Sequence, residues 1–524
     1  MRPTEAAIAK LPAHLRRYVV TQDYDAYTSR DQAVWRHILH RLKAHLTDKA
    51  HSVYLEGLEA TGIGSETIPS LDEMNEKLAQ LGWSAVAVRG FIPPAVFTEL
   101  QTLGVLAIAC DIRTHEHITY TPAPDIIHES AGHAPILANA RYAEYLKACG
   151  LVGFKAIASV EDEAMFEAIR NLSVVKEDPT ATAEDIAHAE ERLHATAASR
   201  RYVSENTKAS RLYWWTAEYG LVGTCEDPKI YGAGILSSLG EAQHCLTDAV
   251  KKVPHGLICT ETEYDITRMQ PQLFVARDFE HLFEVLAEFE QTLAWKRGGD
   301  FGLEEALRAR TVNHLVLGDG LELTGKVVER IASDQEHTPG LATALARLEG
   351  PIMASRQGKA LGNPWPGQAL VVFGEAPLPE RGAFSFELRS GLFLTGFAVG
   401  GGEVVNLRGH LNGRPLDLPS WTYLFVTASL PSVAGGPADP ATWDRWFGEM
   451  NAFAAGEGEV KAQQAKAESL PPALAGLYRD VRELRASGAK AERLAALQSA
   501  AAGYPEEWLL KAEIAELLGE PASV

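Results

Sequence analysis

Apolar residues recur three and four positions apart through 32–46, 140–152 and 278–296, the spacing of one buried helix face, and residues 1–310 read as mostly helical. Within that part, 161–211 is polar and helix-prone, with the run AEDIAHAEERLHATAASRR, and is expected to form solvent-exposed helices inserted into the helical part. From 311 the period changes. LVLGDGLELTGKVVERI offers two alternating strands around an Asp319-Gly320 turn. A short helical piece is expected around 341–350, then a loop at GNPWPG, then strand-like runs ALVVF, AFSFEL, LFLTGFAV, EVVNL and YLFVTA with an Asn412-Gly413 turn among them. Residues 311–432 therefore form a small β-rich module. The remainder, 433–524, is rich in Ala, Glu, Lys and Leu from about 440 onward and is expected to be helical, ending in a short loose tail.

Composition narrows the class without naming it. A chain of 524 residues exceeds one compact core, and 46% hydrophobic with 23% charged residues is ordinary for globular proteins. The formal charge of -20, from 69 acidic and 49 basic side chains, repels phosphate backbones and anionic lipid, so neither nucleic acid nor membrane is an expected partner. No apolar run approaches the roughly 18 residues a membrane span needs, and the first residues carry no apolar leader segment, so the expected address is cytoplasmic. Five widely spaced cysteines without a CxxC pair suit reduced thiols and argue against a thiolate zinc site.

Candidate chemistry begins at YTPAPDIIHESAGHAPIL (120–137), where His128, Glu129 and His133 stand in the order H-E-x-x-x-H. The zinc protease signature H-E-x-x-H places both imidazoles on one helix face. One further residue rotates the second roughly 140° beyond the first in a regular α-helix. Two ligands converge only if the helix deforms or ends between them, and Gly132 is a plausible place for that deviation. The second segment is RLYWWTAEYGLVG (211–223). On a helix there, Glu218 has Trp214 and Trp215 before it and Leu221 and Val222 after it, all apolar. A carboxylate in such surroundings needs a partner, either a basic side chain or a metal held also by imidazoles. Two imidazoles and one carboxylate on one side of an ion leave positions open, as in iron(II) oxygenases.

Four ordered blocks, GWSAVAVRGFIPPAVF (82–97), DIRTHEHITYTPAPDIIHESAGHAPIL (111–137), LYWWTAEYGLVG (212–223) and YGAGILSSLGEAQHCL (231–246), make the chain resemble the pterin-dependent aromatic amino acid hydroxylases. The resemblance covers roughly 80–295. It implies a mainly α catalytic domain of that type over 1–310, with iron(II) and tetrahydrobiopterin, or a related tetrahydropterin, as cofactors. It makes His128, His133 and Glu218 the iron ligands, Phe97 the ring stacked on the pterin, the backbone of Gly90 to Ile92 its edge contacts, and Glu129 the acid between pterin and iron. Tyr213 matches the family's active-site tyrosine. Arg113, seven residues before Tyr120, matches the arginine that grips the amino acid carboxylate, with Thr121, Pro124, Trp214 and Ser237 completing the substrate pocket. Trp214 and the aliphatic Ile266 resemble the phenylalanine enzymes, so conversion of L-phenylalanine to L-tyrosine is the leading expectation, with tryptophan or tyrosine as alternatives.

Departures from the family are visible as well. ESAG stands between the histidines where animal enzymes have ELLG, the 161–211 stretch is longer than expected, and no regulatory domain of the animal type precedes the blocks. Residues 311–524 match nothing in the resemblance, and the oligomeric state is open. A zinc hydrolase with Glu129 as general base, or a silent sensor of aromatic amino acids, are the rival readings. His115 and His117 form an HxH that reads as ordinary loop histidines.

Overall fold

A computed structural model describes the chain apart from residues 120–123, 179, 267, 335, 337, 448–469, 489–490 and 521–524, so Thr121 and the expected loose tail lie outside the described residues. The helical part is built around Ser29–Leu46, which starts at a capping box: the Thr28 hydroxyl accepts the Asp31 amide and the Asp31 carboxylate accepts the Thr28 amide. Its buried face, including Trp35, Ile38, Leu39 and Leu42, enters one large hydrophobic core with Ala140–Lys155 and Phe279–Glu290. The Ala140–Lys155 helix is capped by the Asn139 side chain, which accepts from the amides of Arg141 and Tyr142. A two-stranded parallel sheet, Ser84–Val88 with Val105–Ala109, launches the 89–93 loop and the Pro94–Thr102 helix. A four-stranded sheet runs in the order Pro228–Ile230, Leu221–Gly223, Gln272–Ala276, Lys251–Pro254.

The polar stretch folds as expected into helices, Val160–Glu177 and Ala183–Ser199, which pack on each other as a hairpin before Glu205–Tyr213 re-enters the core. The β-rich module is an 11-stranded sheet whose main path runs Gly382–Glu387, Leu392–Gly400, Glu403–Leu411, Trp421–Thr427, Gln368–Phe373, Thr343–Arg356, Leu321–Ala332, Val312–Val316, Ser432–Gly435. Both turns read from the sequence join antiparallel strands there.

The helical piece expected around 341–350 is instead the start of the central strand Thr343–Arg356. Its alanines and leucines favour helix locally, but the strand is covered on both faces: Ala346 and Leu348 enter one hydrophobic cluster and Leu345 the opposite one. Burial on two sides erases the polar half of the strand period, and tertiary packing overrides the propensity. The C-terminal region also differs from a separate helical unit. It opens on strand Ser432–Gly435, and its helices Pro472–Ser487 and Trp508–Leu518 pack on Ser29–Leu46 and share the core of the N-terminal helical part. There the buried Arg36 bonds Glu513 at 3.0 Å, Glu66 at 2.8 Å and Glu516.

Candidate metal centre and its cavity

Both histidines lie on Ile127–His133, a π-helical turn. Its i→i+5 hydrogen bonding widens the helix, so residues five apart approach one side and the extra residue between His128 and His133 is absorbed by the whole turn. The role expected of Gly132 is thereby corrected. A Cβ on Gly132 would lie 2.6 Å from the Ala233 carbonyl oxygen, so glycine serves close backbone packing against the short helix Ala233–Leu236 rather than a local break. Glu218 ends a second π-helical turn, Trp214–Glu218, where the Tyr219 amide donates to the Trp214 carbonyl at 2.8 Å. A Cβ on Gly232 would lie 2.5 Å from the Glu218 carbonyl oxygen, and one on Gly234 2.8 Å from the Tyr219 ring. The Gly232-Ala233-Gly234 turn is thus wedged against both segments that carry the candidate ligands.

The three side chains face one another. Glu218 Oε2 is 3.3 Å from His128 Nε2, Glu218 Oε1 is 3.1 Å from His133 Nε2, and one ligand atom from each residue falls within 4.8 Å of the others. Burial pushes the Glu218 carboxyl upward, but the charged forms of His133 and His128 beside it outweigh burial and hold it well below the usual range. A cation at the same point would receive the same stabilisation. His128 is also oriented. Its Nδ1 lies 3.1 Å from Ser237 Oγ, whose own proton goes to the Ala233 carbonyl at 2.7 Å, so Nδ1 donates and Nε2 is the nitrogen turned to Glu218. His133 Nδ1 is buried with no hydrogen-bond partner among the described residues. The donor set of two imidazole nitrogens and one carboxylate fits a divalent first-row metal with open positions.

The triad borders two connected spaces. An inner cavity of about 330 Å³ is lined by Arg113, Pro124, His128, Tyr213, Trp214, Ser237 and Ile266 among others. A wider cleft of about 1150 Å³ carries Gly90, Ile92, Glu129 and His133, and both spaces share Phe97, His128, Trp214 and Glu218. Every described residue expected in the pocket therefore lines one of them, although three are engaged in unexpected ways. The buried Arg113 already holds a carboxylate, that of Asp125, through Nε at 2.7 Å and Nη2 at 2.8 Å, and its Nη1 donates to the Ser237 carbonyl at 3.2 Å. Ser237 supports His128. The Tyr213 hydroxyl accepts from Gln101 at 2.5 Å, and its ring meets Phe97 edge to face at 5.8 Å. Burial raises the Glu129 carboxyl to about 8, with the nearby Glu218 and Asp125 charges adding to the rise and His133 opposing it.

Two contributors went unnoticed in the sequence. Asp125 holds Arg113 while its Oδ1 accepts the His128 amide at 3.0 Å, an N-cap arrangement that an acid three residues before a helical histidine could have signalled. Gln270 is buried and ties the 263–270 loop: its side-chain amide donates to the Asp265 and Arg268 carbonyls, both at 2.9 Å, its own amide donates to Glu241 at 3.1 Å, and Trp214 Nε1 approaches its oxygen at 3.4 Å. That loop brings Tyr264 onto Trp214, stacked at 4.2 Å, while Tyr219 stacks on Trp214 at 4.6 Å. No short motif announces this sandwich. His115 and His117 form no further metal-type cluster among the described residues.

A family model described as biopterin-dependent aromatic amino acid hydroxylase matches residues 9–167 and 190–302. A phenylalanine-4-hydroxylase of Pseudomonas aeruginosa is 32% identical over 278 residues, which cover 52% of this chain and 89% of that protein. One of Chromobacterium violaceum is 30% identical over 273 residues, 52% of this chain and 77% of its own. A solved structure of the Chromobacterium violaceum phenylalanine hydroxylase, with iron(III) and oxidised 7,8-dihydrobiopterin, aligns with a TM-score of 0.41 and 29% identity over 55% of this chain and 90% of that one. With the family model spanning more than half its length and covering His128, His133 and Glu218, this chain belongs to the biopterin-dependent aromatic amino acid hydroxylases.

Proposed function

We propose that this protein is an iron(II)- and tetrahydropterin-dependent monooxygenase that converts L-phenylalanine to L-tyrosine. The observation that carries the reading is the convergence of His128, His133 and Glu218 at the boundary of an aromatic cavity. These three residues would hold the iron. When bound, iron(II) and the reduced pterin supply dioxygen activation, one oxygen atom going to the ring and the other leaving as water with electrons from the pterin.

The chain's own part is binding, orientation and water exclusion. Arg113, kept in place by Asp125, retains guanidinium protons for the substrate carboxylate, a charge-assisted contact. Trp214, pinned between Tyr219 and Tyr264, presents a fixed aromatic side to the cavity that Pro124 also lines. Ile266 adds an aliphatic surface suited to an unsubstituted ring. On the side of the wider cleft, Phe97 offers a stacking face, Gly90 and Ile92 the edge contacts, and Glu129 a carboxyl that can carry a proton near neutral pH. Tyr213, turned toward Gln101, lines the inner cavity beside Phe97. Thr121 completes the substrate side by family pattern.

The working division is a catalytic unit over 1–310, a β-rich module over 311–432 and a helical region over 433–524 that buttresses the first. Five free cysteines and the absence of any helix long and apolar enough to cross a membrane, among the described residues, suit a cytoplasmic setting.

The test is anaerobic iron(II) loading followed by aerobic turnover of phenylalanine, tyrosine and tryptophan, with and without tetrahydropterin, products read by mass. One oxygen gained by phenylalanine, dependent on both iron and pterin, is expected, and Glu218→Ala or His133→Ala should abolish iron binding and product together. Stoichiometric iron and full turnover in either variant would end the assignment.

A further inference from the structure

The family model leaves 168–189 unmatched, the distal part of the helical hairpin formed by Val160–Glu177 and Ala183–Ser199. The hairpin buries Ala168, Leu172 and Ala189 but leaves other apolar side chains short of full burial. Met165, Phe166 and Ile169 from the first helix and Leu193 from the second, all half-buried, line the same wider cleft as Gly90 and Ile92. Apolar residues at helical spacing left facing a cavity form a binding wall unless something else covers them.

The charges of the cleft point the same way. Of its carboxylates beyond Glu218 and Glu129, Asp162 accepts the Ser204 and Thr207 hydroxyls, Glu190 pairs with Lys176, Glu263 with Arg211 and Asp265 with Arg268. Arg200 and Arg201, where the hairpin returns to the core, also line the cleft and have no side-chain partner among the described residues. Arg200 is near enough for its charge to act on the Tyr264 hydroxyl. Asp162, held only by hydroxyls, keeps a negative charge in the same cleft, so what lies beyond the apolar wall is a pair of guanidinium groups, half-buried Arg200 and exposed Arg201, with donors left for an anion. The cleft volume, about 1150 Å³, lies above the range for ordinary small-ligand pockets and well above what a bare pterin bicycle fills.

Building on the pterin reading above, we propose that the hairpin and the Arg200-Arg201 pair form a subsite for a long 6-substituent on the reduced pterin, apolar or aryl along its stem and anionic at its end. Phe166, Ile169 and Met165 hold the stem, and the two guanidinium groups hold the terminal carboxylate or phosphate.

Anaerobic calorimetry on the iron-loaded full chain tests this with three probes: 6,7-dimethyltetrahydropterin, which lacks a tail, tetrahydrofolate, which has an aryl stem and carboxylates, and tetrahydroneopterin triphosphate, which has a short stem and phosphates. At least one anionic probe is expected to bind tenfold or more tightly than the dimethyl compound, with the advantage shrinking as salt rises. Whichever probe it is identifies the end group. The double variant Arg200→Ala/Arg201→Ala should lose most of that advantage while binding 6,7-dimethyltetrahydropterin as before, which also shows that it is folded. Phe166→Ala should weaken only the aryl-tailed probe. Equal affinity for all three probes, or a preference that survives loss of both arginines, overturns the subsite alone. Failure of the dimethyl compound itself to bind overturns the pterin reading, and the subsite with it.

Discussion

Gly132→Ala isolates the packing that brings the candidate ligands together without touching any of them. The new Cβ would sit 2.6 Å from the Ala233 carbonyl oxygen and 3.1 Å from its carbonyl carbon. Ordinary contact needs about 3.4 Å or more, so one backbone must retreat by roughly 0.8 Å, and neither side is a flexible side-chain end. The π-helical turn Ile127–His133 moves with both histidines, or Ala233–Leu236 moves with the support it gives Ser237. Overpacking of this kind costs about 1–3 kcal/mol, and ligand geometry tolerates displacements of only about 0.5 Å. Iron(II) affinity should therefore fall by roughly tenfold or more, at about 1.4 kcal/mol per decade, and the thermal midpoint by several degrees. Chelator competition and calorimetry on wild type and variant measure both. Gly256→Ala is the control, because nothing lies within 4 Å of a Cβ at that position. Iron affinity within twofold of wild type and an unchanged midpoint in Gly132→Ala would refute the role assigned to this contact.

Asp125→Asn removes the counter-charge of a buried guanidinium and should cost about 3 kcal/mol or more in urea unfolding, with the KM for phenylalanine rising at least tenfold. A KM within twofold would mean that Arg113 does not need its partner. Gln270→Glu keeps an acceptor for Trp214 but loses both donors to the 265 and 268 carbonyls, so phenylalanine KM should rise about fivefold and selectivity over tryptophan should fall. An unaltered selectivity ratio, from competition assays, would make Gln270 purely structural. Burial, helped by His281, lowers His255 to about 3, so between that value and its ordinary 6.5 the unfolded chain holds a proton that the folded chain does not. Its stabilising contribution is complete above about pH 6.5 and falls at up to about 1.4 kcal/mol per pH unit as pH drops through that window. A urea series from pH 7.5 to 5 should show a shallower loss in His255→Gln, and identical slopes would count against it. Iron(II) at a hundredfold excess over its Kd should stabilise the wild type by about 2.7 kcal/mol and Glu218→Ala not at all, which thermal shifts with and without chelator will report.

How far the residues announced this arrangement depends on which interactions are local. His128, Glu129 and His133 are close in sequence, and the apolar neighbours of Glu218 could be counted along one segment, so the candidate ligands were legible. The alternation around Asp319-Gly320 and Asn412-Gly413 likewise gave away the β-rich module. Thr343–Arg356 was not legible over its first half, because a strand buried on both faces has no polar period and its alanines favour helix. The stacking of Tyr264 on Trp214, and the seating of the C-terminal helices on Ser29–Leu46 through Arg36, join residues far apart in the chain. Single-sequence periodicity carries no information on such pairs.

The i, i+5 spacing shows how a local irregularity becomes informative. In a regular α-helix it would separate the imidazoles, which reads as an argument against a shared ion. A π-helical turn reverses that argument, and such turns are rare because their backbone geometry is poorer. Two of them meet here, on Ile127–His133 and Trp214–Glu218, and both abut Gly232-Ala233-Gly234. The small residues of that turn are therefore as necessary to the centre as the ligands. With side chains there, the two backbones could not approach closely enough for Glu218 to reach both histidines. Glycine at 132, 232 and 234 allows contacts of 2.5–2.8 Å from a hypothetical Cβ, which no other residue type permits without displacement. The expectation that follows is asymmetric: ligand substitutions should remove the metal and leave the fold, whereas substitutions in this glycine turn should weaken metal binding and stability together.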